Sequence, residues 1–154
     1  MILIGLSGKI GAGKTVLARE LCSRTENGVR LSFAAALKQE ACSRYSYDPI
    51  LNETAAGKDT VVLHPDLPGG SAKVREILIG IGHQRRVEDP EYWCKRLASA
   101  VDVLQMAGIR MVVVDDIRFP NEVATLRLRG AFLVRVEPCA EWRPGAYAAN
   151  PSET

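Results

Sequence analysis

Residues 8–15 have the types and spacing of a site that binds phosphate groups. Their sequence, Gly-Lys-Ile-Gly-Ala-Gly-Lys-Thr, fits the P-loop pattern GxxxxGK followed by Ser or Thr. Glycines permit backbone shapes in which N–H groups point at phosphate oxygens, and a following helix adds its positive N-terminal end. Lys14 is expected to reach the β- and γ-phosphates of a triphosphate, and the Thr15 hydroxyl to ligate Mg²⁺. The predicted nucleotide-binding residues are Gly8, Lys9, Gly11, Ala12, Gly13, Lys14 and Thr15.

Two aspartates, Asp115 and Asp116, close the apolar run Met-Val-Val-Val. A carboxylate at the end of a buried strand, in a protein with a P-loop, is expected to lie near that loop and to bind Mg²⁺ directly or through water. Neighbouring residues of a strand point to opposite faces, so the sequence alone leaves open which of the two faces the metal. Our metal-site prediction is Thr15 with one of these aspartates, and the choice of Asp116 depends on the family resemblance given below.

Arginines are the third chemical signal, because phosphoryl transfer needs cations around the migrating group. Arg118 is the best placed, two positions beyond Asp116, and Arg75 follows at the start of a predicted helix. The predicted catalytic residues are Lys14, Asp116, Arg118 and Arg75. The sequence also contains weaker candidates. Arg85 and Arg86 are surface residues by default, His64 and His83 are expected in loops, and Trp93 is expected in the core.

The elements that must position these residues alternate between strand and helix. Apolar runs predict strands over residues 2–6, 29–33, 110–116 and 131–136, and helical spacing predicts helices over 15–23, 34–45 and 121–129, with further helices opening at Ser71 and Asp89. This alternation predicts an α/β fold with a mainly parallel sheet flanked by helices. We expect one domain over 1–154, with 47–70 as a loop or a small lid or acceptor insertion, and loop structure from Pro138 onward. Ligands of such sheets bind beyond the carboxyl ends of the strands, where 8–15 and 115–118 fall.

Composition excludes several classes of protein. The 154 residues are 47% hydrophobic and 25% charged, with a net charge of +2, which is ordinary for a globular domain and too balanced for general nucleic-acid binding. We find no run near the roughly 20 apolar residues that span a bilayer, so we expect no membrane partner. The four cysteines lie far apart and include no CxxC pair, which gives a zinc site little support and favours a reduced, intracellular setting.

A resemblance to a known family begins at 116–122, Asp-Ile-Arg-Phe-Pro-Asn-Glu. The pattern DxRFPNE, together with the early GKIGxGK loop, resembles the deoxynucleoside monophosphate kinases of bacteriophages. Further similar segments span almost the whole chain: FAAALK at 33–38, GKD at 57–59, REILIGIG at 75–82 and DPEYW at 89–93.

The resemblance implies a three-layer P-loop kinase fold and transfer of the ATP γ-phosphate to a deoxynucleoside 5′-monophosphate, with Mg²⁺ as cofactor. It assigns Lys14 and Thr15 to triphosphate and metal, Asp116 and Arg118 to the active site, and Arg75 to the acceptor or lid side. It also implies a cytoplasmic location, that of the host if the protein is phage-encoded. A homodimer is left open.

Other readings of the P-loop remain. The NKxD motif of GTPases is missing from the sequence, and Asp115 and Asp116 lead into Ile-Arg-Phe-Pro where a GTPase would have its DxxG switch. A kinase of the dephospho-coenzyme A or adenylate type shares the P-loop and the size, and a non-catalytic ATP-binding switch ranks third. The segment 150–154 resembles an HxSE motif, with Asn150 in place of histidine, that in the family precedes another strand and helix. We therefore expect either a shortened member of the family or a truncated chain.

Overall fold

Strands and helices alternate at the two ends of the described chain, as predicted, but not in its middle. The computed structural model describes residues 1–138. Its strands are β1 (Ile2–Ser7), β2 (Gly28–Leu31), β3 (Val61–Leu63), β4 (Ser71–Lys73), β5 (Met111–Val114) and β6 (Phe132–Arg135). Its helices are α1 (Lys14–Ser23), α2 (Phe33–Tyr45), α3 (Ala55–Lys58), α4 (Val74–Glu88), α5 (Tyr92–Met106) and α6 (Pro120–Leu128), with 3₁₀ turns at Pro49–Asn52 and Pro68–Gly70. Contacts divide the described residues into two compact units, 1–33 with 94–138 and 34–93.

The first unit is built on a four-stranded sheet in the order β2-β5-β1-β6. All three neighbouring pairs are parallel: β5 lies beside β1 with Gly5 opposite Val114, and beside β2 with Leu31 opposite Val114. The prediction of an α/β fold with a mainly parallel sheet flanked by helices is therefore confirmed. Because β1 and β5 run the same way, their carboxyl ends lie at one edge of the sheet.

Side chains of β1 alternate between two packed faces of that sheet. Leu6 is fully buried against Ala18 of α1 and Val113 of β5. Gly5 faces the other way, where an added methyl group would lie 2.5 Å from Ile117 Cδ1 and 3.0 Å from Leu126 Cδ1. The close approach of α6 to this face therefore depends on a residue without a side chain.

The second unit contains an antiparallel hairpin of β3 and β4 and a buried polar cluster beside α2. The Tyr47 hydroxyl donates to Asn52 Oδ1 at 3.0 Å, and Asn52 Nδ2 lies 3.0 Å from Cys42 Sγ. Asn52 is only 1% exposed, so these bonds replace the water contacts that it loses on folding. Burial raises the pKa of the Tyr47 phenol, which keeps the hydroxyl protonated as a donor. Trp93 is buried, as predicted.

Two helix starts predicted for this unit, at Ser71 and Asp89, are wrong. Ser71 does not cap a helix, because residues 71–73 pair with 61–63 as a strand and α4 begins at Val74. The segment 47–70, expected as a loop or a small lid or acceptor insertion, contains two 3₁₀ turns, α3 and β3 and buries Leu67. Asp89, the predicted N-cap of the next helix, lies at the end of α4 instead. Helix α5 begins at Tyr92, two residues later than a cap at Asp89 requires.

The remaining predictions on the chain ends concern residues outside those described. Apart from Pro138 itself, the loop predicted from that residue onward and the HxSE-like segment fall beyond residue 138. Within residues 1–138, none of the helices combines the length and the apolar character needed to cross a membrane.

Candidate functional site

The P-loop sequence folds as a glycine-supported turn between β1 and α1. Gly8, Gly11 and Gly13 have φ values of 140°, 76° and 89°, a region that favours glycine over other residues. The Ala12 N–H closes the turn on the Lys9 carbonyl at 3.2 Å. The strand, turn and helix that the motif requires as context are therefore all present.

Gly8 is needed for space as well as for backbone shape. A Cβ at this position would lie 2.3 Å from the carbonyl oxygen of Val136, just after β6. In the same place the Val136 N–H donates to the Ser7 carbonyl at 2.8 Å. The start of the loop is thus packed directly on the end of the edge strand. Around Gly13 an added Cβ would meet nothing within 4 Å, so only its conformation requires glycine.

Lys14 holds its ammonium group over the loop that precedes it. Its Nζ donates to the carbonyls of Gly8 at 2.5 Å and Lys9 at 2.8 Å. Thr15 follows in the first turn of α1 and is exposed. That turn, Lys14-Thr15-Val16, is basic or neutral, so the positive end of the helix is not offset by a carboxylate of its own. The loop therefore combines N–H groups, a helix N-terminus and a lysine, which suits an anion.

The two aspartates after β5 have different surroundings. Asp115 is 5% exposed, and its Oδ2 accepts from Arg30 NH1 at 3.2 Å. Asp116 is half-buried, and its Oδ1 accepts from the backbone N–H of Phe33 at 2.8 Å. Asp115 is therefore a buried carboxylate paired with a partly exposed arginine, and Asp116 is the more exposed of the two aspartates.

The segment that carries Asp116 and Arg118 is tied to the strand that leads into the P-loop. The Ile117 N–H donates to the Leu6 carbonyl at 3.3 Å, and Leu6 lies two residues before Gly8. The first unit thus brings together the loop 8–15, Asp116 and Arg118 at one edge of the sheet. The side chain of Arg118 is exposed there.

Glu122 is the residue at this turn whose role the sequence analysis missed. It is 3% exposed, and its Oε2 accepts from the N–H groups of Arg118 at 2.7 Å and Phe119 at 3.1 Å. A glutamate in the first turn of a helix that begins with proline is a known capping signal, and it was available in the sequence. Arg30 was also missed, because its pairing with Asp115 depends on the neighbouring strand.

A cavity of about 710 Å³ opens beside this turn. Its walls are mostly apolar side chains of the turn and of α6, including Phe119 and Val123, with Arg118 and Arg127 among its lining residues. Ser7, the residue before the P-loop, lines it as well. A cavity of this volume is in the range of small-molecule sites.

The other predicted site residues lie in the second unit. Arg75, near the start of α4, forms an ion pair with Asp59 at 3.3 Å. Arg85 donates to Glu40 at 2.7 Å and joins Tyr92 at the same carboxylate, which gives it a structural role. Among the weaker candidates, Arg86 donates to the Gly82 carbonyl and His64 accepts from the Asp66 N–H. The prediction of a loop at His83 is wrong, because this residue lies exposed within α4, whose helical spacing continues to Glu88.

No protein-family model matches this sequence, and a search of the curated proteins gives no match.

Proposed function

We propose that this chain is a P-loop kinase that transfers the γ-phosphoryl group of ATP to a deoxynucleoside 5′-monophosphate. The observation that carries the proposal is the meeting of two chemically distinct segments at one sheet edge. The glycine loop 8–15 and the turn 116–118 adjoin through the bond from Ile117 to Leu6. The resemblance of both segments to the phage kinases supplies the substrate class, and the proposed place of action is the cytoplasm, where both nucleotides occur.

The donor triphosphate is assigned to the loop. Its β- and γ-oxygens accept from the loop N–H groups, and Lys14 turns from the carbonyls of Gly8 and Lys9 to the phosphate. The positive end of α1 stabilises the same charge. The lysine moves over a short distance only, because in this structure its ammonium group already lies at the loop.

The residues assigned to the metal are Thr15 and Asp116. When bound there, Mg²⁺ would supply positive charge that offsets the charge developing on the phosphates during transfer. Among the described residues no group of three or more His, Cys, Asp or Glu side chains is arranged to hold a metal. One hydroxyl and one carboxylate are consistent with a Mg²⁺ site of this kind, because this ion keeps several waters and takes its other ligands from substrate phosphates.

The acceptor phosphate is assigned to Arg118, and the family resemblance assigns Arg75 to the acceptor or lid side. An oxygen of that phosphate attacks the γ-phosphorus in line as the bond to the β–γ bridging oxygen breaks, and ADP leaves with the electron pair. The attacking oxygen is already anionic, so charge neutralisation and positioning are the main tasks of the protein. The cavity beside Arg118 supports this assignment, since apolar walls suit a nucleobase and arginine suits its phosphate.

The test is Lys14→Ala, compared with Lys95→Ala, which removes the same charge from an exposed position on α5. We expect Lys14→Ala to lower kcat/KM at least about a hundredfold, because it removes a cation that acts on the transferring group. Lys95→Ala should retain wild-type kcat/KM. Chelation of Mg²⁺ should abolish transfer by the wild type. Near-normal turnover in Lys14→Ala, or transfer that persists in chelator, refutes the mechanism.

A further inference from the structure

The carboxylate of Glu122 is buried at the turn that carries Arg118. One of its oxygens, Oε2, accepts two backbone N–H groups, those of Arg118 and Phe119, at 2.7 and 3.1 Å. Hydrogen bonds to an ionised carboxylate are about twice as strong as neutral ones. Only 3% of the residue is exposed, so water screens these bonds weakly.

The turn is held from the opposite side as well. The Ile117 N–H donates to the carbonyl of Leu6, and Asp116 Oδ1 accepts from Phe33. Three successive backbone N–H groups, at 117, 118 and 119, therefore have fixed partners. The side chain of Arg118 is exposed, so the position of its guanidinium depends on the backbone from which it projects. Hydrogen bonds to Glu122 and Leu6 fix that backbone.

A helix cap alone does not require this arrangement, as α4 shows. There Glu76 occupies the equivalent position in the first turn, and its Oε2 accepts from the Lys73 N–H at 2.9 Å. Glu76 is exposed, so it caps its helix without the cost of burying a charge. Glu122 bears that cost, and one of the two N–H groups that it binds belongs to the candidate catalytic arginine.

We propose that Glu122 is a positioning residue, which fixes the backbone of Arg118 so that its guanidinium meets the acceptor phosphate. The inference rests on the proposed kinase function and deepens it. It predicts that a change at Glu122 affects the acceptor side of the reaction and leaves the ATP side intact, since both hydrogen bonds concerned are made to the turn that carries Arg118.

The test is Glu122→Gln, which keeps the shape of the side chain and removes its charge. We expect kcat/KM for the deoxynucleoside monophosphate to fall at least about tenfold while KM for ATP stays within about twofold, as expected when an interaction with one substrate alone is lost. The control is Asp102→Asn, which removes the partner of Arg129 at the other end of α6 and should leave both parameters unchanged.

A double-mutant cycle separates positioning from stability. If Glu122 acts through Arg118, Glu122→Gln should have almost no further effect on kcat/KM in an Arg118→Ala background. Hydrogen exchange at the amides of 118 and 119 should also become faster in Glu122→Gln. If that variant does not fold, Glu122→Asp, which keeps the charge and withdraws the oxygens, replaces it with the same expectations.

The outcomes distinguish the two proposals. A wild-type protein that transfers no phosphoryl group to any nucleoside monophosphate overturns the kinase function, and this inference with it. A wild-type protein that is active, combined with an unchanged kcat/KM in the folded Glu122 variant, overturns the positioning role alone. The positioning role is also overturned if the losses of kcat/KM caused by Glu122→Gln and Arg118→Ala simply add in the double variant.

Discussion

Replacing Gly8 by alanine should damage the protein more than the same replacement at Gly13, although both are loop glycines with positive φ. The new Cβ of Gly8→Ala would stand 2.3 Å from the Val136 carbonyl oxygen, whereas ordinary contacts begin near 3.4 Å. The end of β6 must therefore retreat by about 1 Å, a distance that the 2.8 Å bond from Val136 to Ser7 cannot absorb.

The expected magnitude follows from these two effects. A non-glycine residue held at an unfavourable φ costs about 1–3 kcal/mol, and the lost hydrogen bond costs about 1 kcal/mol. Gly8→Ala should then destabilise the fold by about 2–4 kcal/mol. Gly13→Ala meets no atom within 4 Å and carries only the backbone cost, about 1–2 kcal/mol.

Urea denaturation of the three proteins, followed by circular dichroism, measures the difference. We expect a lower midpoint for Gly8→Ala than for Gly13→Ala, with both below the wild type. Calorimetric titration with ATP should also show weaker binding by Gly8→Ala, because the start of the loop has shifted. Equal midpoints for the two variants, or a lower one for Gly13→Ala, would refute the close packing of the loop on β6.

Two further predictions concern stability. Tyr47→Phe removes the hydroxyl that donates to Oδ1 of Asn52, a residue that is only 1% exposed. It should lower the free energy of unfolding by about 1–3 kcal/mol, because a buried acceptor loses its partner. A change below about 0.5 kcal/mol in a denaturant titration would contradict the buried cluster. Hydrogen bonds from Arg129 lower the pKa of Asp102 in the folded protein. The pair therefore contributes to the free energy of unfolding above the unfolded pKa of the carboxyl, which is near 4. This contribution is lost as the pH falls through the lower pKa of the folded state. The Tm of the wild type should therefore exceed that of Asp102→Asn at neutral pH and approach it in acid, whereas a gap that is independent of pH would count against the pair.

The strand–loop–helix unit at the N-terminus was predictable because its signals are local. The apolar run, the spacing of the glycines and the lysine all lie within 14 residues, and the helix was placed within one residue of its observed start. The position of 116–118 beyond the carboxyl end of a strand also followed from the sequence, since an apolar run that ends in acids indicates such an end.

Predictions that depended on distant partners were wrong or incomplete. Ser71 was placed at a helix start because its strand partner, Leu63, lies eight residues earlier across a turn. Asp115 and Asp116 were not distinguishable until Arg30 and the Phe33 N–H came beside them from another part of the chain. Sequence spacing describes neighbours along the chain, whereas these contacts are made between elements that the fold brings together.

The most direct measurement of the central claim is ADP release by the purified chain with ATP and Mg²⁺, tested against the common nucleoside monophosphates in ribo and deoxy form and against dephospho-coenzyme A. We predict release that depends on a deoxynucleoside monophosphate, formation of the matching diphosphate, and loss of both in Lys14→Ala. Release with dephospho-coenzyme A or a ribonucleotide alone would assign the chain to another class of kinase. ATP binding without any acceptor-dependent release would contradict a phosphotransferase.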